Sequence, residues 1–183
     1  FLGHCTMGNA APVDGGSTVS NEVWSVFERF VSEKHALEKS LAKKHGIQIP
    51  PQVEEFFAAA QKGDWITSSN RFYVISNELA KRNPERKLMK VEPWGPIHDT
   101  FGTYEIVHAM NPKFVKMFGE GIVKSIPPGS IYFGGTAEGR FLVSAFSQSH
   151  TEGRPFFTMT QNALSNPLYI EYVEDMYGDK IHV

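Results

Sequence analysis

The residues best placed to do chemistry sit around a glycine corner. Gly134-Gly135-Thr136 follows a short apolar run, Ser130-Ile131-Tyr132-Phe133, and precedes a helical pattern. Glycines at such a corner let backbone N–H groups approach an anion, and a helix N-terminus adds a favourable partial charge. Thr136 adds a hydroxyl. Glu138 in the first helical turn would repel a bare phosphate, so a sugar or nucleotide hydroxyl is the better match. Thr160-Gln161-Asn162 closes a second apolar run. Gln161 and Asn162 are therefore candidates to face the same crevice as Gly134, Gly135, Thr136 and Glu138. The competing reading is structural and is preferred for both segments: the glycines turn the chain, and Asn162 or Ser165 caps the next helix. Neither a Gly-Lys-Ser/Thr phosphate loop nor a GxGxxG sequence after a strand is present.

Other constellations are weaker. Glu105-x-x-His108 has the spacing of one half of a carboxylate-bridged di-iron site, with His98-Asp99 upstream. That chemistry needs a second copy and partner glutamates, so exposed helix residues are the expectation and no metal is assigned. Gly119-x-Gly121 lies in a helical pattern with no strand before it, which favours close helix packing over dinucleotide binding. There is no GxSxG elbow, and Ser130 has no histidine or aspartate placed by motif. No motif names a cofactor, and no catalytic residue is assigned.

The elements that must position these residues follow from periodicity. Val23, Trp24, Phe27, Phe30, Val31, Leu37 and Leu41 recur at three- and four-residue steps, predicting a long amphipathic helix over 21–45 with Ser20 as N-cap and Gly46 after its end. Pro50-Pro51 opens a second helix and Asp64 caps a third, which ends before Asn83-Pro84; a tight Lys62-Gly63-Asp64 turn makes the two a helical hairpin. Residues 83–96 are rich in proline and charge and read as a connector, with a short strand at 88–91. Helices are expected over 97–110 and 112–125. Beyond Pro127-Pro128-Gly129 the pattern becomes strand at 130–133, helix, strand at 156–160, helix over 168–176, and strand at 180–183. Short connections argue for parallel pairing and right-handed crossovers.

Bulk properties narrow the function classes. With 41% hydrophobic and 21% charged residues, the chain can bury a core. A formal net charge of -2 gives no electrostatic footprint for nucleic acid or an anionic membrane. Lys81, Arg82, Arg86, Lys87 and Lys90 alternate with Glu85 and Glu92, as in a solvated linker. Cys5 is the single cysteine, which excludes an internal disulfide. No apolar run approaches the roughly 18 residues of a membrane span. Residues 1–19 read as a flexible lead-in. Starting at Phe1 and stopping within a strand, the sequence is expected to be part of a longer protein, with membrane anchoring of that parent one possibility. The compartment stays open.

Two resemblances extend this reading. Lys62-Gly63-Asp64-Trp65, with Ser68 and Phe72, resembles the turn and packing positions of a tetratricopeptide-type hairpin, although Phe56 stands where a small residue is expected and Pro84 comes four residues late. Residues 126–183 are similar to the soluble portion of protein O-mannosyltransferase-like bacterial membrane proteins and to soluble α/β segments of uncharacterised bacterial proteins. The likeness is carried by Ile131–Phe133 followed by Gly134-Gly135-Thr136, by Arg154-Pro155, and by Gln161-Asn162-Ala163-Leu164. The acidic Gly-Asp corner typical of those membrane proteins is replaced here by Gly134–Gly139. The resemblance implies a fold more than an activity.

The expected architecture is α/β. A helical module at 20–82 precedes the connector at 83–96, and helices plus an incomplete βαβαβ-type parallel-sheet unit follow at 97–183. Because no catalytic constellation is complete, a non-catalytic accessory or protein-interaction region is expected, meeting a partner through the helical module. The alternative is a ligand-handling domain for a nucleotide or sugar nucleotide, in a glycosyl-transfer context, using the corner at Gly134–Thr136.

Overall fold

The structure is a computed structural model describing residues 17–82, 94–147 and 152–181. The lead-in before Ser17, most of the connector and its strand at 88–91 lie outside the described residues. The first helix, α1 (Ser17–His45), begins earlier than expected, so Ser20 lies inside it and is not its cap. It ends as the sequence requires: Lys43, Lys44 and His45 occupy the last turn, Gly46 takes a φ of 66°, and the Ile47 N–H reaches back to the Ala42 carbonyl at 2.8 Å. This closes a left-handed C-terminal cap that satisfies the helix's orphan carbonyls.

The hairpin forms from α2 (Pro51–Gln61) and α3 (Trp65–Arg82). Gly63 supplies the positive φ of 73° that turns the chain, and the Asp64 carboxylate accepts the Thr67 N–H at 3.0 Å. Next comes α4 (Trp94–Ala109), which starts inside the stretch expected to be connector. It is buried nearly all round, through Ile97, Asp99, Thr100, Phe101, Gly102, Thr103, Tyr104 and Ile106, as a helix at the centre of a bundle must be. It completes one apolar core with Phe27 and Val31 of α1, Phe56 and Phe57 of α2, and Phe72 and Ile75 of α3. The Phe72 and Phe101 rings stack at 3.7 Å there.

After α4, Asn111 caps α5 (Pro112–Ser125), its side chain accepting the Lys113 N–H at 3.0 Å. Then follow β1 (Ile131–Gly134), α6 (Ala137–Phe146), β2 (Phe157–Thr160) and α7 (Pro167–Tyr177). The strands pair in parallel, Ile131 beside Phe157 and Gly134 beside Thr160. One βαβ unit is therefore present, but the expected βαβαβ sheet is not. Among the described residues the sheet has two strands against seven α-helices.

The physical reason lies after α7. Gly178 ends that helix at a φ of 54°, residues Gly178–Lys180 coil into a 3-10 turn, and Ile181 packs beside Met159, Val173 and Tyr177 instead of entering a ladder. The backbone edge of β2 is already satisfied: the Tyr177 hydroxyl meets the Thr158 N–H at 3.1 Å and the Thr158 carbonyl at 2.9 Å.

Candidate functional site

The glycine corner is built as the sequence places it, where β1 passes into α6. Thr136 is the N-cap of α6: its hydroxyl oxygen accepts the Gly139 N–H at 3.0 Å, and its carbonyl accepts the Arg140 N–H at 2.9 Å. Gly134 is buried, and a Cβ there would lie 2.9 Å from the Arg140 Cα. Its lack of a side chain therefore lets the helix backbone close on the strand. Gly135 is exposed with open space around it. Gln161 and Asn162 form the 3-10 turn Gln161–Ala163 after β2, both exposed, and the Asn162 amide donates a long 3.4 Å bond to the Gly135 carbonyl. Glu138 is half-buried in the first turn of α6. The structure thus brings Gly135 and Asn162 together across the strand ends. The cap of α7 is neither Asn162 nor Ser165 but Asn166, which accepts the Leu168 N–H at 3.0 Å.

Behind this corner lies a charged cluster that the motif reading did not identify. Lys34 of α1 is 1% exposed and donates to Asp99 Oδ2 at 2.9 Å and to the Tyr172 hydroxyl at 2.7 Å. The Tyr172 hydroxyl donates in turn to Asp99 Oδ2 at 2.9 Å. Arg140 of α6 donates at 3.1 Å both to Asp99 Oδ1 and to His98 Nδ1. Its guanidinium also lies over the Phe141 and Tyr169 rings, 4.7 and 5.6 Å from their centroids. One carboxylate therefore ties α1, α4, α6 and α7 together.

The protonation states follow from this geometry. Burial alone would raise the Asp99 carboxyl, but Lys34 and Arg140 outweigh it and hold the group well below the usual carboxylate range. Burial lowers the Lys34 ammonium, and Asp99 opposes that shift. We take the pair as ionised, because the Asp99 carboxylate accepts bonds from two cations and a hydroxyl. Burial and the neighbouring Arg140 push His98 down to about 4. It is neutral at pH 7, with Nδ1 accepting from Arg140 and the proton on Nε2. Burial and Asp99 raise Tyr172 well above its ordinary value, keeping it a donor.

Chemically, the cluster is closed. The cavity it borders, reaching Tyr132, Thr160 and Tyr169, offers about 10 Å³, no more than one water-sized volume. Each charged group in it is already paired. The arrangement supplies rigidity and register to four helices, and it offers no free nucleophile or base to a substrate. Glu105 and His108 are exposed on α4, where the His108 ring stacks on Trp65 at 4.8 Å. Among the described residues no group of three or more histidine, cysteine, aspartate or glutamate side chains is placed to hold a metal ion.

A signal for the cluster was available in the sequence. Lys34 and Glu38 continue the inward stripe of α1, falling between Phe27, Val31 and Leu41 at four-, three-, four- and three-residue steps, and Glu38 is 0% exposed. Charged residues at positions that periodicity assigns to the core require buried partners. Comparison with known proteins adds nothing to this geometry: no family model, curated protein or solved structure matches the chain.

Proposed function

We propose that this chain is a non-catalytic protein-interaction region. The observation that supports it is the apolar surface left uncovered on α5. Phe114, Met117 and Phe118 are 58%, 63% and 39% exposed. Their spacing of three and four residues puts them on one side of the helix, with Met110 one turn before them. Exposed apolar groups gathered on one face mark surfaces that meet another protein. The helical hairpin carries both inward and outward apolar residues. Its Trp65 and Phe72 turn inward onto Phe101, while Ile66 and Tyr73, at 73% and 55% exposed, face outward. Near the corner, Thr136 caps α6, and Lys34 and Arg140 share the Asp99 carboxylate.

The test is the thermal midpoint of the chain against nucleotides, sugar nucleotides, phosphate and divalent metals. Saturating binding to the folded state alone adds about 2.7 kcal/mol at a hundredfold excess over Kd. No member of the panel is expected to raise the midpoint. A rise that disappears in Thr136→Ala or Asn162→Ala would overturn the non-catalytic reading in favour of ligand handling at the corner. In parallel, the triple variant Phe114→Ser, Met117→Ser, Phe118→Ser is expected to keep its midpoint and lose binding of an apolar dye.

A further inference from the structure

We propose that the cavity beside Asp99 holds a single-atom anion, chloride in ordinary buffers, bound by Arg140 and the hydroxyls around it. The case begins with charge. Lys34 and Arg140 are two cations, and Asp99 is the one carboxylate they share. His98 is neutral at pH 7, so the cluster carries one positive charge in excess. None of the three charged side chains is more than 16% exposed, and little of that charge reaches water. A second carboxylate acts on Lys34, that of Glu33, but it pairs with Arg29 at 3.6 Å. Keeping a charge away from water without a counter-ion is costly.

The cavity is lined to receive one. Arg140 uses only Nη2 for His98 and Asp99. Its Nε and Nη1 make no hydrogen bond among the described residues, and neither atom is sealed from solvent. The Tyr132 hydroxyl also has no partner among the described residues and is not sealed. It stands 3.0 Å from where a Cβ on Gly139 would lie, against the start of α6. The Tyr169 hydroxyl accepts the Thr160 N–H at 2.6 Å, which leaves its own proton to donate. All of these residues border the same cavity. A guanidinium edge and phenol hydroxyls are donors, and charge-assisted bonds from them suit an anion.

Size selects among anions. The space of about 10 Å³ admits one water-sized body. Phosphate, carboxylates and nucleotides exceed it, whereas a halide is of that order. A water would satisfy the hydroxyls but leave the excess charge unanswered. The site is separate from the apolar face of α5 and does not depend on it.

Thermal unfolding of the full chain tests this, with chloride replacing gluconate from about 1 mM to about 200 mM at constant ionic strength. At five times Kd one site raises the folding constant about sixfold, a midpoint shift of about 2–4 °C for a chain of this size. Bromide should act alike and give an anomalous-scattering peak beside Tyr132 in crystals. Two variants separate this cavity from general salt effects on the protein surface. Tyr132→Phe removes a hydroxyl that bonds nothing else in the fold. It should keep the midpoint in gluconate and weaken chloride binding by about fivefold or more. Lys34→Met removes the excess charge and should abolish the response to chloride. Tyr132→Phe carries the test alone where Lys34→Met folds poorly. A midpoint indifferent to chloride across the whole range overturns the proposal. A rise that survives unchanged in Tyr132→Phe overturns it too, because the effect then arises elsewhere.

Discussion

Removing the Asp99 carboxylate should be the most damaging single change in the charged cluster, and a double-mutant cycle with Lys34 shows why. In Asp99→Leu the ammonium of Lys34 and the guanidinium of Arg140 keep their burial and lose their shared acceptor. Stranding one member of a buried pair costs about 3–5 kcal/mol. For a chain of this size about 4 kcal/mol lowers the midpoint by about 8–16 °C. Lys34→Met removes the ammonium that lies over the Phe30 and Tyr172 rings but leaves Asp99 with Arg140 and Tyr172 as partners. It should therefore cost less. The double variant removes charge and countercharge together, and should sit about 1–3 kcal/mol above Asp99→Leu alone. Urea unfolding with a constant m-value would measure all three corners. A cost below about 1 kcal/mol for Asp99→Leu, or additivity in the cycle, would refute the claim that this carboxylate ties the helices together.

Three further outcomes follow from local geometry. Gly102→Ala should destabilise by about 1–3 kcal/mol by urea unfolding, despite alanine's better helix propensity, because a Cβ there would lie 2.3 Å from the Phe141 ring. His98 should make the fold acid-sensitive. Its folded pKa lies at about 4 against 6.5 in the unfolded chain, so the unfolded chain takes the proton first as pH falls. Stability is then lost between those two values, by about 2–3 kcal/mol once partial exposure is discounted. His98→Gln should flatten that stretch of the pH–stability curve. Tyr177→Phe removes the hydroxyl that serves both backbone groups of Thr158, and should cost about 1–3 kcal/mol and speed amide exchange at Thr158.

Legibility in the sequence tracked how local each signal was. The cap at Asp64, the turn at Gly63 and the end of α1 at Gly46 depend on residues within a few positions, and the structure builds all of them. The third strand, whose last two residues lie outside the described ones, is not begun at Lys180 or Ile181 for the opposite reason. Residues 180–183 follow a turn and carry a β-like pattern, yet whether such a short run becomes a strand depends on a distant edge being free to pair. The outward edge of β2 belongs to the hydroxyls of Tyr177 and Tyr169, which no sequence motif announces. The start of α4 at Trp94 was hidden by Pro93, Gly95 and Pro96, which mark a connector in composition but also suit a first helical turn.

The candidate site shows the same limit from the side of chemistry. A glycine after a strand means only that something approaches the backbone more closely than a Cβ allows. A phosphate, a sugar and the chain's own next helix all meet that condition, so Gly134 read alone leaves the approaching body open. What approaches it is the backbone of Arg140, and the side chain of that same residue runs inward to Asp99. The close approach at Gly134 therefore delivers a guanidinium to the one carboxylate that also holds Lys34 and Tyr172. Sequence distance conceals this: Lys34 and Arg140 stand more than a hundred positions apart and share no motif. The trace available in advance was a lysine on the buried stripe of α1, which obliged the fold to bring a countercharge from elsewhere.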